Sequence, residues 1–263
     1  MNRYFAILKM RVAAIAQYRS AAFAGICAQL FWGFISIMIF KAFYSGVSTP
    51  EPLSLVQTLT FVWLGQTLVP LLPWHPDREI EAQIRSGQVA YDLIRPVNLY
   101  ATYLTKSFAL RLTPLLMRSI PFFLIVILFL ELKAPHSPLA GLGFVCSVCL
   151  ATLLSAVITA LTGVTLFWTL SGTGINRMLP HCASLLSGNF IPLPLFPSWL
   201  QPFLSWQPFR GIVDIPCRIY TGVIPEHQIS FYLGFQLAWA LVFIWLGNTL
   251  LSRSLKRLVV QGG

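Results

Sequence analysis

Four histidines, five cysteines and eight acidic residues are all that this chain of 263 residues offers for metal binding, acid–base work or nucleophilic attack. His75, His136, His181 and His227 have no ligand spacing and fall on alternating sides of a membrane-spanning chain, so they cannot converge on one metal. Cys146 and Cys149 form a CxxC, but it sits in the apolar run GFVCSVCLATLL and no second pair completes a zinc site. With Cys27, Cys182 and Cys217 they read as packing cysteines, not as a disulfide framework. There is no GxSxG, no HExxH and no carboxylate pair inside an apolar run. SGTGINR, residues 171–177, lacks the Gly-Lys-Ser or Gly-Lys-Thr of a phosphate loop, so its glycines make a turn. The expectation is a chain with no catalytic residues, no metal and no cofactor of its own.

The acids are bunched. Asp77, Glu79, Glu81 and Asp92 lie within sixteen positions of the stretch DREIEAQIRSGQVAYDLIRPVN, residues 77–98. A cluster of this kind in an oily chain wants water and a partner. Pro76 suits the first turn of a short helix over residues 77–86. Its acidic start (Asp77, Glu79, Glu81) and basic end (Arg85) both agree with the helix dipole. Glu81 and Arg85 make an i, i+4 pair, and Ser86-Gly87 supplies the stop. Pro96 disfavours helix at Arg95, so residues 88–95 pass through a turn or an extended piece. A short rigid helix ended by glycine fits a groove on another protein; the plain alternative is a solvated connector.

The elements that must carry this insert are read from composition. The chain is 56% hydrophobic and 10% charged, with a mean hydropathy of +0.73, against about a quarter charged in globular domains. Uncharged runs near twenty residues match a hydrocarbon core of about 30 Å at about 1.5 Å per helical residue. The fold class is therefore an all-α polytopic membrane protein, a single transmembrane domain. Six transmembrane helices are expected, at about residues 21–44, 53–73, 112–130, 139–170, 178–191 and 229–251.

A net charge of +10 could suggest nucleic acid, but the basic residues are scattered over short loops, so no nucleic-acid binding is expected. Lys41, Lys133, Arg210 and Arg218 are the only cations left outside when both termini are cytoplasmic; the other fourteen lie inside. The acidic helix then faces the cytoplasm.

Residues 1–20 are not a cleaved signal peptide, because the small residues precede the apolar run. Tyr4, Phe5, Leu8, Val12 and Ile15 share one face, with Lys9 and Arg11 placed to snorkel at its edges, so an interfacial elbow helix lying against membrane lipid is expected. Arg111 and Arg118, two turns apart on one face, are expected to snorkel to the inner interface, with a buried role as the alternative. Thr152, Ser155, Thr159 and Thr162 form one stripe of hydroxyls, which either packs helices closely or faces a substrate path.

Residues 192–228 hold seven prolines in an apolar setting, too broken for one helix and too oily for a free loop. Re-entrant or interfacial helices anchored by Trp199 and Trp206, with Phe196 beside them as an outer gate, fit both features. Asp214 lies four residues from both Arg210 and Arg218, which points to charge balance at the outer surface. An intramembrane lipid-modifying enzyme using His181 or Asp214 remains open on the sequence, as does a passive channel. The near absence of charge in the spans argues against a proton-driven carrier, so energy for a pump would come from a partner.

GQVAYDLIRPVN after the short charged helix, then FIPLPLFPSWLQPFLSWQPF with IPCRIYTG, then the tail SLKRLVVQGG resemble the six-span permeases of ABC-2-type exporters, the group that includes daunorubicin-resistance-like permeases. The resemblance implies an export permease subunit in the bacterial plasma (inner) membrane, paired with separate ATP-binding cassette ATPase subunits. Those partners would hold the ATP and Mg2+. It further implies a second permease copy or a related permease. By the same resemblance residues 77–86 would be the coupling helix, with Asp77, Glu79, Glu81, Arg85, Ser86 and Gly87 at the ATPase. The re-entrant segment on the outer side would follow from it too.

Overall fold

The computed structural model describes residues 3–46, 52–74, 77–89, 91, 97–130, 132–169 and 173–255. All regular structure among them is helical. In chain order, α1 is Arg3–Ala16 and α2 Arg19–Gly46; α3 is Leu55–Leu68, tightened at its end into a 3₁₀ turn, Val69–Leu71; α4 is Arg78–Arg85. Then come α5 (Leu99–Phe129), α6 (Pro138–Thr169), α7 (Thr173–Leu186), α8 (Gln201–Trp206), α9 (Asp214–Tyr220) and α10 (Ile229–Leu255).

The ends of these helices follow from local chemistry. Ser54 and Gln57 form a capping box at the start of α3: the Ser54 hydroxyl accepts from Gln57 N (3.2 Å) and Gln57 Oε1 accepts from Ser54 N (3.0 Å). Pro70 converts its last turn to 3₁₀. Asn98 caps α5 by accepting from Ala101 N at 2.9 Å. Pro114 and Pro121 remove two ladder donors from α5, and a π turn at Leu115–Ser119 lies between them.

α2 and α3 run antiparallel. Tyr44 near the end of α2 donates to Leu53 O at 2.7 Å, ahead of α3, while Gln29 one half-helix earlier reaches Gln66 O near the end of α3. α6 and α10 run side by side. Gln236 of α10 accepts from Ser147 Oγ (2.9 Å) and donates to Gly211 O (2.7 Å), which ties both to the segment before α9. The main core joins α3, α6, the start of α9 and α10, through residues such as Leu64, Leu154, Ile212 and Ala240. A second core at the other end joins Ile80 of α4 to Tyr103, Val164 and Leu251. Here the ring of Tyr100 lies over Gly247, where a Cβ would come within 2.5 Å of it.

The protein is thus a multi-pass helical membrane protein, but the described residues do not present six full crossings. Four helices are long and apolar enough to cross: Arg19–Gly46, Leu99–Phe129, Pro138–Phe167 and Glu226–Leu255. Leu55–Leu71 is a shorter apolar helix. The fifth expected span, residues 178–191 and already short for a crossing in the sequence, coincides in part with α7, 14 residues with Pro180 inside it. At about 1.5 Å per residue that is about 21 Å, short of the hydrocarbon core. Gly188 with φ +84° ends the run at once, and Pro192, Pro194 and Pro197 prevent it from resuming. α5 starts at Leu99, where Asn98 caps a semi-polar helical stretch that leads into the apolar part expected from 112. Pro76, Asp92, Arg95, Pro96 and the tail cations Lys256 and Arg257 lie outside the described residues.

Candidate functional site

The charged segment between α3 and α5 builds one compact site. Asp77 caps α4, its Oδ1 accepting from Glu79 N at 3.0 Å and from Ile80 N at 3.5 Å. Gly87 at φ +72° closes the other end, a conformation that glycine adopts without a Cβ penalty. Ile80 is fully buried, and a Cβ on Gly163 of α6 would lie 3.3 Å from its Cγ2. α4 therefore packs against α6.

Its acids are bound within the chain. Arg11 of α1 donates from Nη2 to both Asp77 oxygens, at 2.7 and 2.9 Å, and pairs closely with Glu79 through Nη1. Lys106 of α5 lies 2.8 Å from Glu79 Oε1. Asp77 is 1% exposed. The sequence placed Arg11 at the edge of α1 for snorkelling; the structure turns it onto α4 instead, because two carboxylates there offer more than water at the interface.

The side of α4 that remains open is different. Arg78, Ala82 and Ser86, one helical turn apart, are exposed, and so is Gly87. Glu81 is half-buried, and the Arg85 side chain lies outside the described residues. Between α1 and α4 opens a groove of about 500 Å³ lined by Arg11, Tyr18, Asp77 and Glu79 on one side and Leu110 of α5 on the other.

Above α4, Arg111 takes the buried alternative rather than snorkelling. It is 5% exposed and donates to Leu72 O at 2.9 Å and to Thr159 Oγ1 from Nε (3.1 Å) and Nη2 (2.8 Å). The hydroxyl stripe is accordingly internal: Thr152, Ser155, Thr159 and Thr162 are all buried. Ser155 bonds Leu71 O, and Thr152, Thr159 and Thr162 bond carbonyls of their own helix. Within the protomer the stripe is a packing seam against the end of α3. Arg118 differs, being half-buried and bonded through Nε to Gln29 Oε1 at 2.9 Å.

At the opposite end, Asp214 is fully buried between Arg210 (3.2 Å) and Arg218 (3.5 Å). The i, i+4 pairing holds, but it lies inside, not at the surface, and the Arg210 guanidinium also covers the rings of Tyr232 and Phe235. A carboxylate so enclosed has no access to a substrate, which removes the basis for an enzyme built on it. His181 is exposed on α7, and Cys217 and Pro216 sit beside Asp214 in α9 without forming a centre. Trp199 and Trp206 are 77% and 75% exposed, and Phe196 is half-buried. Tyr220 donates to Lys133 O at 3.0 Å; burial pushes its phenol above the ordinary tyrosine range, so the donated proton stays. Among the described residues no group of three or more His, Cys, Asp or Glu could hold a metal.

Arg11 and Lys106 are the contributors that the sequence did not single out for α4. Both were visible as cations flanking an acidic cluster, but the acids' partners are 66 and 27 positions away, which no local pattern reports. Residues 30–262 match the family of ABC-2 family transporter proteins. No curated protein and no solved structure gives a significant match to the chain.

Proposed function

The chain belongs to the ABC-2 transporter family and is the membrane permease of an ABC transporter; from that premise we propose that it exports an amphipathic or hydrophobic substrate from the cytoplasm or inner leaflet. Separate ATP-binding cassette subunits, holding ATP and Mg2+, supply the energy. The permease works as a pair, with a second copy or a related chain, in a bacterial plasma (inner) membrane with both termini cytoplasmic.

The observation that carries this reading is the seating of α4. It is a short rigid helix, capped at both ends, with Ile80 on its underside packed on α6 beside Gly163 and joined to one apolar cluster with Tyr103 and Leu251. Its acids tie it to α1 through Arg11 and to α5 through Lys106. A push on α4 is thereby delivered to α1, α5 and α6 together, which is what a lever between an ATPase and membrane helices must do. The exposed Arg78, Ala82, Ser86 and Gly87 make the face we assign to the ATPase. Asp77 and Glu79 hold and orient the lever, and Glu81 and Arg85 belong to the same coupling segment. The path runs between protomers, and Phe196, Trp199 and Trp206 form its outer rim. The stripe of Thr152, Ser155, Thr159 and Thr162 backs that path from inside each protomer.

Replacing Glu79 and Glu81 together by Lys should loosen the ATPase or uncouple its hydrolysis from transport, measured on the copurified complex in vesicles. Full assembly with full transport in that variant would refute the lever.

A further inference from the structure

Arg118 lies in the apolar part of α5, seven residues past Arg111 and so about 10 Å further along the helix axis. Arg111 meets the end of α3 at Leu72, so Arg118 stands inside the bilayer. An arginine at that depth is costly unless something receives its charge. Its Nε donates to Gln29 Oε1, and among the described residues neither Nη group donates to a protein atom and no carboxylate pairs with it. Gln29 is held in turn by its own bond to Gln66 O.

Room has been kept for the guanidinium. A Cβ on Gly25 of α2 would lie 2.5 Å from its Nε and 2.6 Å from its Cζ. The π turn at Leu115–Ser119 widens α5 at this level, which keeps Arg118 on one stripe with Pro114 and Leu110. Leu110, with Ala14, Ile15 and Tyr18, forms the apolar wall of the groove at the inner face, opposite Arg11, Asp77, Arg78 and Glu79, whose acids are paired with Arg11 and Lys106. From the groove at the inner leaflet one stripe of α5 thus runs to a cation whose paired donors are open. Such a planar fork suits a carboxylate or phosphate.

We propose that Arg118 binds the anionic headgroup of an acidic amphiphile that enters from the inner leaflet, and so sets the substrate class of this permease. The proposal rests on the permease reading above, but its test needs no ATPase, so the two fail separately. The full-length chain in phosphatidylcholine nanodiscs is titrated with oleate, dioleoyl phosphatidic acid, oleyl alcohol and inorganic phosphate. One or both acidic amphiphiles should bind at least tenfold more tightly than the alcohol, and inorganic phosphate alone should not be held. Arg118→Gln should abolish that preference while leaving oleyl alcohol binding unchanged. Arg118→Lys should retain part of it, and serves where the Gln variant does not fold. Equal binding of acid and alcohol by the native chain, an undiminished preference in Arg118→Gln, or tight binding of inorganic phosphate alone would each overturn the proposal.

Discussion

Arg11 and Asp77 stand 66 positions apart and are joined by two hydrogen bonds of 2.7 and 2.9 Å, so α1 is fastened to the cap of α4. The bond makes the acidic end of α4 an internal joint and leaves its Arg78–Ala82–Ser86 side exposed.

Arg11→Ala should therefore separate two properties. The ATPase should still copurify, because the exposed face of α4 is untouched, while ATP-driven transport in vesicles falls by about tenfold or more, the scale expected when a positioning contact is lost. Loss of copurification with transport per complex unchanged would place Arg11 in the docking surface.

Thr159 and Thr152 lie on one stripe but should respond differently. Thr159→Val deprives two donors of the buried Arg111 of their acceptor and should cost about 1–3 kcal/mol in thermal or denaturant unfolding of the detergent-solubilised chain. Thr152→Val loses only a bond to Val148 O of its own helix and should change stability by about 0.5 kcal/mol or less.

At the end away from α4, Asp214→Asn leaves two guanidinium groups without their shared charge. The expected loss is about 3–5 kcal/mol, the usual result of breaking a buried pair from one side. Arg218, 21% exposed, can turn to water, so Arg218→Gln should cost clearly less by the same unfolding measurement.

Much of this was legible in the sequence because it is written locally. Pro138–Thr169 follows the long uncharged run almost residue for residue, and the α4 caps follow from Asp77 and Gly87. The i, i+4 spacing of Asp214 and its arginines foretold the pairing, but not the burial, which depends on helices packed around it from elsewhere in the chain. Arg111 shows the same gap: a cation at the edge of an apolar run looks alike whether it snorkels or turns inward, and the choice was made by Leu72 O and Thr159. The segment at 178–191 is short for a crossing, and Pro180 and Gly188 are the local reasons: they limit the helix more than composition extends it.

The most direct test of the lever is a photoreactive residue placed at position 82, in cells that express the chain with its own ATP-binding cassette subunit. Irradiation should give an adduct of the two polypeptides at position 82, and none from the same probe at position 199. An adduct at 199, or none at 82 while the complex still copurifies, would contradict the account.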